Sequence, residues 1–216
     1  MKERTKSALE RTISTHPRLE PCRASVERAY EVLLAAFTAG AKLLLCGNGG
    51  SAADATHIAG ELAKAYLLCR APRPEIVKKI EAGIPGPDAS CLLALEEALP
   101  AISLTTNAAL LTATANDVNA ELVFAQQVIA YGRPGDVLLG LTTSGTSANV
   151  VRAFQTARVL GLSSICLTGV RAPEWLSDLV DVVIAVPESS TPAVQELHLP
   201  VYHALCEMIE SELFVA

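Results

Sequence analysis

The sequence predicts an α/β fold in which a parallel sheet of five strands is covered by helices on both faces. Three observations carry this. Five short apolar runs alternate with helix-patterned segments, an order that calls for a parallel sheet with right-handed crossovers. Half of the residues are apolar and only 4% are aromatic, the Ala-, Leu- and Val-rich balance of a sheet with both faces buried. A length of 216 residues is enough for one well-buried core, so 1–216 is read as a single domain.

The elements follow in order. Residues 1–40 read as N-terminal helices: Ala24, Val26, Ala29, Tyr30, Leu33 and Phe37 form a stripe at helix spacing, and Gly40 is placed to stop it. Pro17 and Pro21 divide this region into two helices. The first strand is Lys42–Cys46. Strands are also predicted over Ala98–Leu104, Asp136–Leu141, Ser163–Leu167 and Asp181–Val186. The irregular stretch 66–99 contains Pro72, Pro74, Pro85 and Pro87, with a short charged helix expected at Glu75–Glu81. It reads either as an insertion over a pocket or as a surface excursion. A helix over Val150–Leu160 and one from Thr191 to Phe214 complete the pattern, with Thr191 as the expected N-cap and Pro192 at the first helical position.

Composition excludes several function classes. A net charge of −6 without a basic run disfavours nucleic acid as a partner. No apolar stretch approaches the roughly 20 residues that span a bilayer, and no apolar region follows Met1–Lys6, so the expected location is the cytoplasm, with no membrane partner. The six cysteines are scattered without metal-finger spacing and read as buried thiols.

In parallel sheets, ligands sit beyond the carboxyl ends of the strands. At those ends stand Gly47-Asn48-Gly49-Gly50-Ser51, Thr105-Thr106-Asn107 and Thr142-Thr143-Ser144-Gly145-Thr146-Ser147. The first is a Gly-rich turn between strand and helix, where Ser51 and free N–H groups are expected to face an anion. It lacks the Lys of a nucleotide P-loop, and Ala52 breaks a dinucleotide fingerprint. In the hydroxyl-rich turn, capping by Ser147 accounts for one side chain and leaves the others free for a phosphate. His57 and Glu61, four residues apart, share one helix face, with Glu61 roughly 15 Å or less from the phosphate loop. They read as solvated residues, a metal pair, or a base with its helper. Gln195 and His203 are eight residues apart, about 12 Å along one helix. One zinc ion cannot easily take both from a straight helix. Either Pro200 bends the helix, or the two serve sites in different subunits, which is the reading preferred here.

Together these stretches resemble the sugar isomerase (SIS) domain family, and within it the phosphoheptose isomerases. The matching segments are Gly47–Asp54 through His57 and Glu61, Ala115-Asn116-Asp117, Gly135–Gly140, Ser144–Val150, and Gln195–His198 with His203. The resemblance implies a flavodoxin-like three-layer sandwich, a homotetramer with shared active sites, and conversion of D-sedoheptulose 7-phosphate to D-glycero-D-manno-heptose 7-phosphate through an enediol. It implies that Glu61 is the base and His203 the acid. Asn48, Gly49, Gly50, Ser51, Glu61, Asn116, Asp117, Thr142, Thr143, Ser144, Ser147 and Gln195 would contact substrate, and one zinc per subunit would be held by His57, Glu61, Gln195 and His203. Relative to the family, residues 66–99 are an insertion, Asn107 replaces an Asp, and Thr142 and Thr146 replace a Ser and an Asn. These departures bear on substrate identity, including a hexose or pentose phosphate, rather than reaction class. The rival reading is a non-catalytic SIS protein that binds a sugar phosphate or a replication initiator. Glu61 argues for the enzyme.

Overall fold

In the computed structural model, residues 1–214 are described. Five parallel strands run β1 (Leu43–Gly47), β2 (Ala101–Ser103), β3 (Val137–Leu141), β4 (Ser163–Gly169) and β5 (Val182–Val186), in the spatial order β2-β1-β3-β4-β5. This is the doubly wound order, in which the chain reverses its direction of growth between β1 and β3. The register is continuous, Leu44 pairing Leu138 and Leu139 pairing Ile165. Alternate residues of each strand point to opposite faces. Leu43, Leu45, Leu139, Ile165 and Ile184 therefore join one apolar core, while Leu44, Cys46, Leu138 and Cys166 join the other.

The first core is roofed by α1 (Glu3–Thr15), α2 (Arg23–Thr38), α3 (Gly50–Ala63) and α9 (Thr191–Leu213); the second by α5 (Ala108–Thr114), α6 (Ala125–Tyr131), α7 (Ala148–Leu160) and α8 (Leu176–Leu179). The result is the three-layer sandwich expected from the sequence. The proline pair divides the N-terminal helices as predicted, through a 3₁₀ turn over Pro17–Cys22.

Most boundaries shift by one or two residues from expectation, and two differences have a clear local cause. Strand β2 is only three residues long, because Pro100 carries no N–H and the strand lies on the sheet edge. Its pairing still extends by single bonds, from Leu43 N–H to Pro100 O and from Leu104 N–H to Leu45 O. Ser190, not Thr191, is the N-cap of α9, which puts Pro192 at the second helical position. Helix α9 continues through Pro200 to Leu213.

The stretch 66–99 contains α4 (Pro74–Glu81), close to the expected helix, and a 3₁₀ turn over Ser90–Ala94 on which α4 packs. Neither contributes a buried residue. Tyr66, at its start, packs toward the site described next.

Candidate active site

The two polar turns meet at the carboxyl rim of the sheet. In the first, Gly49 adopts φ +56°, which a side chain would oppose, and so turns the chain into α3. A Cβ on Gly50 would lie 2.6 Å from Gln195 Nε2, so this glycine lets α9 bring Gln195 against the loop. Ser51 departs from expectation: it is 3% exposed, packed inward, and its N–H is bonded to Asn48 O at 3.0 Å. Among the described residues, nothing accepts from the N–H groups of Gly49 and Gly50.

The second turn is tied to the first by reciprocal amide bonds of 2.9 Å between Asn48 and Asn149. Its hydroxyls pair among themselves: Thr142 with Ser147 at 3.0 Å, and Ser144 with Thr146 at 2.9 Å. Ser147 stands at the N-cap of α7 without making a capping bond, contrary to the capping reading. Thr143 reaches Thr191 at the start of α9, 3.4 Å away. A hydroxyl donates once and accepts twice, so each pair can turn a proton toward an anion. A cleft of about 350 Å³ opens beside the first turn, lined by Asn48, Gly49, Ala52, Thr105, Ala115 and Asn149. Asn116 and Asp117 lie beyond it on an exposed π-helical turn, bonded to each other at 2.7 Å. Among the described residues, neither side chain is hydrogen-bonded to α3.

Helices α3 and α9 pack side by side, and their facing residues build the second half of the site. His57 Nε2 lies 2.9 Å from Glu61 Oε1, and His57 Nδ1 lies 3.0 Å from Tyr202 Oη. The Tyr202 hydroxyl donates to Asp54 Oδ1 at 3.2 Å. His203 stacks edge-on to His57, with ring centroids 5.1 Å apart, and has Tyr66 on its other side at 5.7 Å. Thus Gln195 stands at the loop end of the α3–α9 contact and His203 at the Glu61 end, both from one chain. His203 also lines a cleft of about 300 Å³ with Arg11, His16, Glu196 and Pro200.

Burial governs the electrostatics of these groups. Burial holds the His203 pKa below the ordinary histidine value, with His57 adding to that push and Glu61 opposing it. A buried His203 Nε2 has no hydrogen-bond partner. Desolvation also raises the Asp54 carboxyl, against the Tyr202 bond and the nearby His57. The spacing of His57 and Glu61 was legible in the sequence. Tyr202 carried no signal, and Asp54 lay inside the quoted run without an assigned role.

The expected zinc ligands are chemically apt, since two imidazoles and a carboxylate suit that ion. They do not converge in one chain. No three His, Cys, Asp or Glu side chains among the described residues form a metal-holding group, and Gln195 stands at Gly50, seven residues and about 10 Å along α3 from His57.

Comparison with known proteins identifies the family. The SIS domain family matches residues 88–169. The chain is 41% identical over 196 residues to the phosphoheptose isomerase of Rhodospirillum rubrum, covering 91% of this chain and 90% of that one. It is 44% identical over 193 residues to that of Crocosphaera subtropica, covering 89% and 84%. The solved phosphoheptose isomerase of Neisseria gonorrhoeae superposes with a TM-score of 0.72 at 33% identity, over 97% of this chain and 98% of that one. With its fold, its polar rim and these relatives, the chain belongs to the phosphoheptose isomerase family and is a sugar-phosphate aldose–ketose isomerase.

Proposed function

We propose that the protein converts D-sedoheptulose 7-phosphate to D-glycero-D-manno-heptose 7-phosphate. The observation that carries this reading is the shared face of α3 and α9, where Gln195 stands against Gly50 at the loop end and Glu61 and His203 stand around His57 further along. A long sugar phosphate fits that separation, with its charged tail at the turns and its carbonyl end at Glu61. The names of the relatives support the seven-carbon sugar.

The reaction moves a carbonyl from C2 to C1. Glu61 takes a proton from C1, leaving an enediol, and returns it to C2. Meanwhile the O1 proton leaves and O2 gains one, a transfer assigned to His203, whose depressed pKa keeps a neutral imidazole available. The phosphate is assigned to the free N–H groups of Gly49 and Gly50 and to Thr142, Thr143, Ser144 and Ser147, while the inward-packed Ser51 shapes the turn from below. Asn48, Gln195, Asn116 and Asp117 are assigned to the sugar. Zinc and a homotetramer with shared sites belong to the proposal only at the level of the assembly. Within one chain Gln195 stands away from His57, Glu61 and His203, so no step here passes through the metal.

Incubation of pure protein with sedoheptulose 7-phosphate is expected to yield the aldose, with exchange of the transferred proton into solvent. Glu61→Gln should lower kcat by roughly 10²–10⁴-fold, abolish that exchange and leave phosphate-dependent binding in place. Exchange at the normal rate in Glu61→Gln would assign the base elsewhere. No turnover by the unaltered protein, with or without zinc, would favour the non-catalytic binding module.

A further inference from the structure

The two turns assigned to the phosphate follow different strands. Gly47 and Leu141 lie side by side in the register of β1 and β3, so both turns leave the sheet where its order reverses. Each turn bonds mainly to itself. The N–H groups of Ser51 and Ala52 close the first on Asn48 O and Gly49 O, and the hydroxyl pairs Thr142–Ser147 and Ser144–Thr146 close the second. Among the described residues, the only side-chain hydrogen bonds joining 47–51 to 142–149 are the two between Asn48 and Asn149, each 2.9 Å.

This clasp uses only part of each amide. A carboxamide has two N–H groups and a carbonyl oxygen with two lone pairs, and each residue gives one of either kind to the other. Asn149 Oδ1 takes a second hydrogen from the N–H of Val150 at 3.0 Å, so its own helix, α7, orients that amide. Asn48 stands on the more pliable side. Gly49 follows it at φ +56°, and no side chain restrains the backbone of Gly49 or Gly50. The second N–H of Asn48 stays free for the sugar contact assigned to it.

We propose that Asn149 is a positioning residue for phosphate binding: through Asn48 it holds the free N–H groups of Gly49 and Gly50 in register with the hydroxyl turn, so that one phosphate meets both. The inference rests on the isomerase reading of these turns and deepens it. Without the clasp the glycine turn is free to drift from the hydroxyls, and ordering it again falls on the ligand. Affinity for the charged tail then drops. The chemistry at Glu61 is spared, since that residue stands eleven positions along α3 from Gly50, roughly 16 Å away. Two other roles predict different results. A residue that only steadied the start of α7 would alter unfolding and leave phosphate affinity alone. One that touched phosphate by itself would act independently of Asn48.

The test uses the full-length protein, with inorganic phosphate as the probe in calorimetric titration and sedoheptulose 7-phosphate as the substrate. Asn149→Ala is expected to weaken phosphate binding roughly tenfold, as the loss of two ordinary hydrogen bonds would. KM should rise by a similar factor while kcat stays within about threefold, because the lost interaction serves ground state and transition state alike. Asn48→Ala should weaken phosphate binding as much, and the double variant should bind no more weakly than either single one. Unchanged phosphate affinity in Asn149→Ala would overturn the proposal. So would losses that add in the double variant, a fall in kcat with KM unchanged, or no phosphate binding by the unaltered protein. If the unaltered protein binds phosphate and shows no turnover, the isomerase reading fails by itself, while the titrations still decide what Asn149 does.

Discussion

Among individual residues, the most exacting environment is that of His198 on α9. It is fully buried, neither ring nitrogen is hydrogen-bonded, and the buried hydroxyl of Thr168 also lacks a partner. Burial pushes its pKa down to about 4, with the nearby Thr168 backbone pulling weakly the other way without reaching bonding geometry. The folded-state value thus lies below the unfolded value of about 6.5. Between the two, the unfolded chain binds a proton that the folded chain refuses, so stability rises with pH across that window. The contribution is full above pH ~6.5 and is lost as the pH falls toward 4, amounting to about 3 kcal/mol. Urea unfolding followed from pH 7 to pH 4 should show this loss, and His198→Leu should flatten it. An unchanged slope in His198→Leu would assign the acid sensitivity to other groups. By contrast, His57 and Glu61 were visible in the sequence because a spacing of four is itself a geometric statement on a helix. Tyr202 was invisible, since its contacts with His57 and Asp54 depend on which helix lies beside it.

Among elements, the contact of α9 with the end of α3 depends on a buried ion pair. Glu210 and Arg70 have no exposed side-chain surface and meet at 2.8 Å. Glu210 also accepts from the N–H groups of Tyr66, Leu67 and Leu68 at 2.7–3.0 Å. Arg70 donates to the carbonyls of Leu62 and Glu61, at 2.8 and 3.4 Å, at the end of α3 where helical acceptors are otherwise unpaired. The pair therefore fixes the helix end that carries Glu61 and the turn that brings Tyr66 to His203. Glu210→Gln leaves a buried guanidinium without its counter-charge and should cost about 3–5 kcal/mol in urea unfolding. A change below ~1 kcal/mol would mean that water or another acceptor replaces the carboxylate. Nothing in the sequence pairs residues separated by 140 positions, so this bond was not legible, although the helices it joins were. The same holds for Gln195. Its eight-residue offset from His203 raised the alternatives of a bent helix or separate subunits, whereas the side-by-side packing of α3 and α9 gives the two residues opposite ends of one helix contact.

At the scale of the molecule, the expected zinc site and the chain's geometry diverge. If four ligands hold one ion, Gln195 must come from somewhere other than the His57 end of its own helix contact. A second copy of the chain is the proposed source. Light scattering on the purified protein should give four times the 22.7 kDa chain mass, and metal analysis should find about one zinc per chain. A fully active monomer would remove the shared site from the proposal. No helix among the described residues is long and apolar enough to cross a membrane.

Sequence by itself determined the five-stranded parallel sheet, the polar rim and the His57–Glu61 pair, because strand alternation, turn chemistry and helix spacing act over a few residues. Tertiary structure alone decided that Ser51 turns inward, that Asn48 meets Asn149, and that Tyr202 and His203 face His57. Those relations are set by how α9 packs against α3 and how the turns after β1 and β3 converge on the carboxyl rim of the sheet. The contacts join residues 100 or more positions apart, and local propensity and periodicity carry no information over such distances.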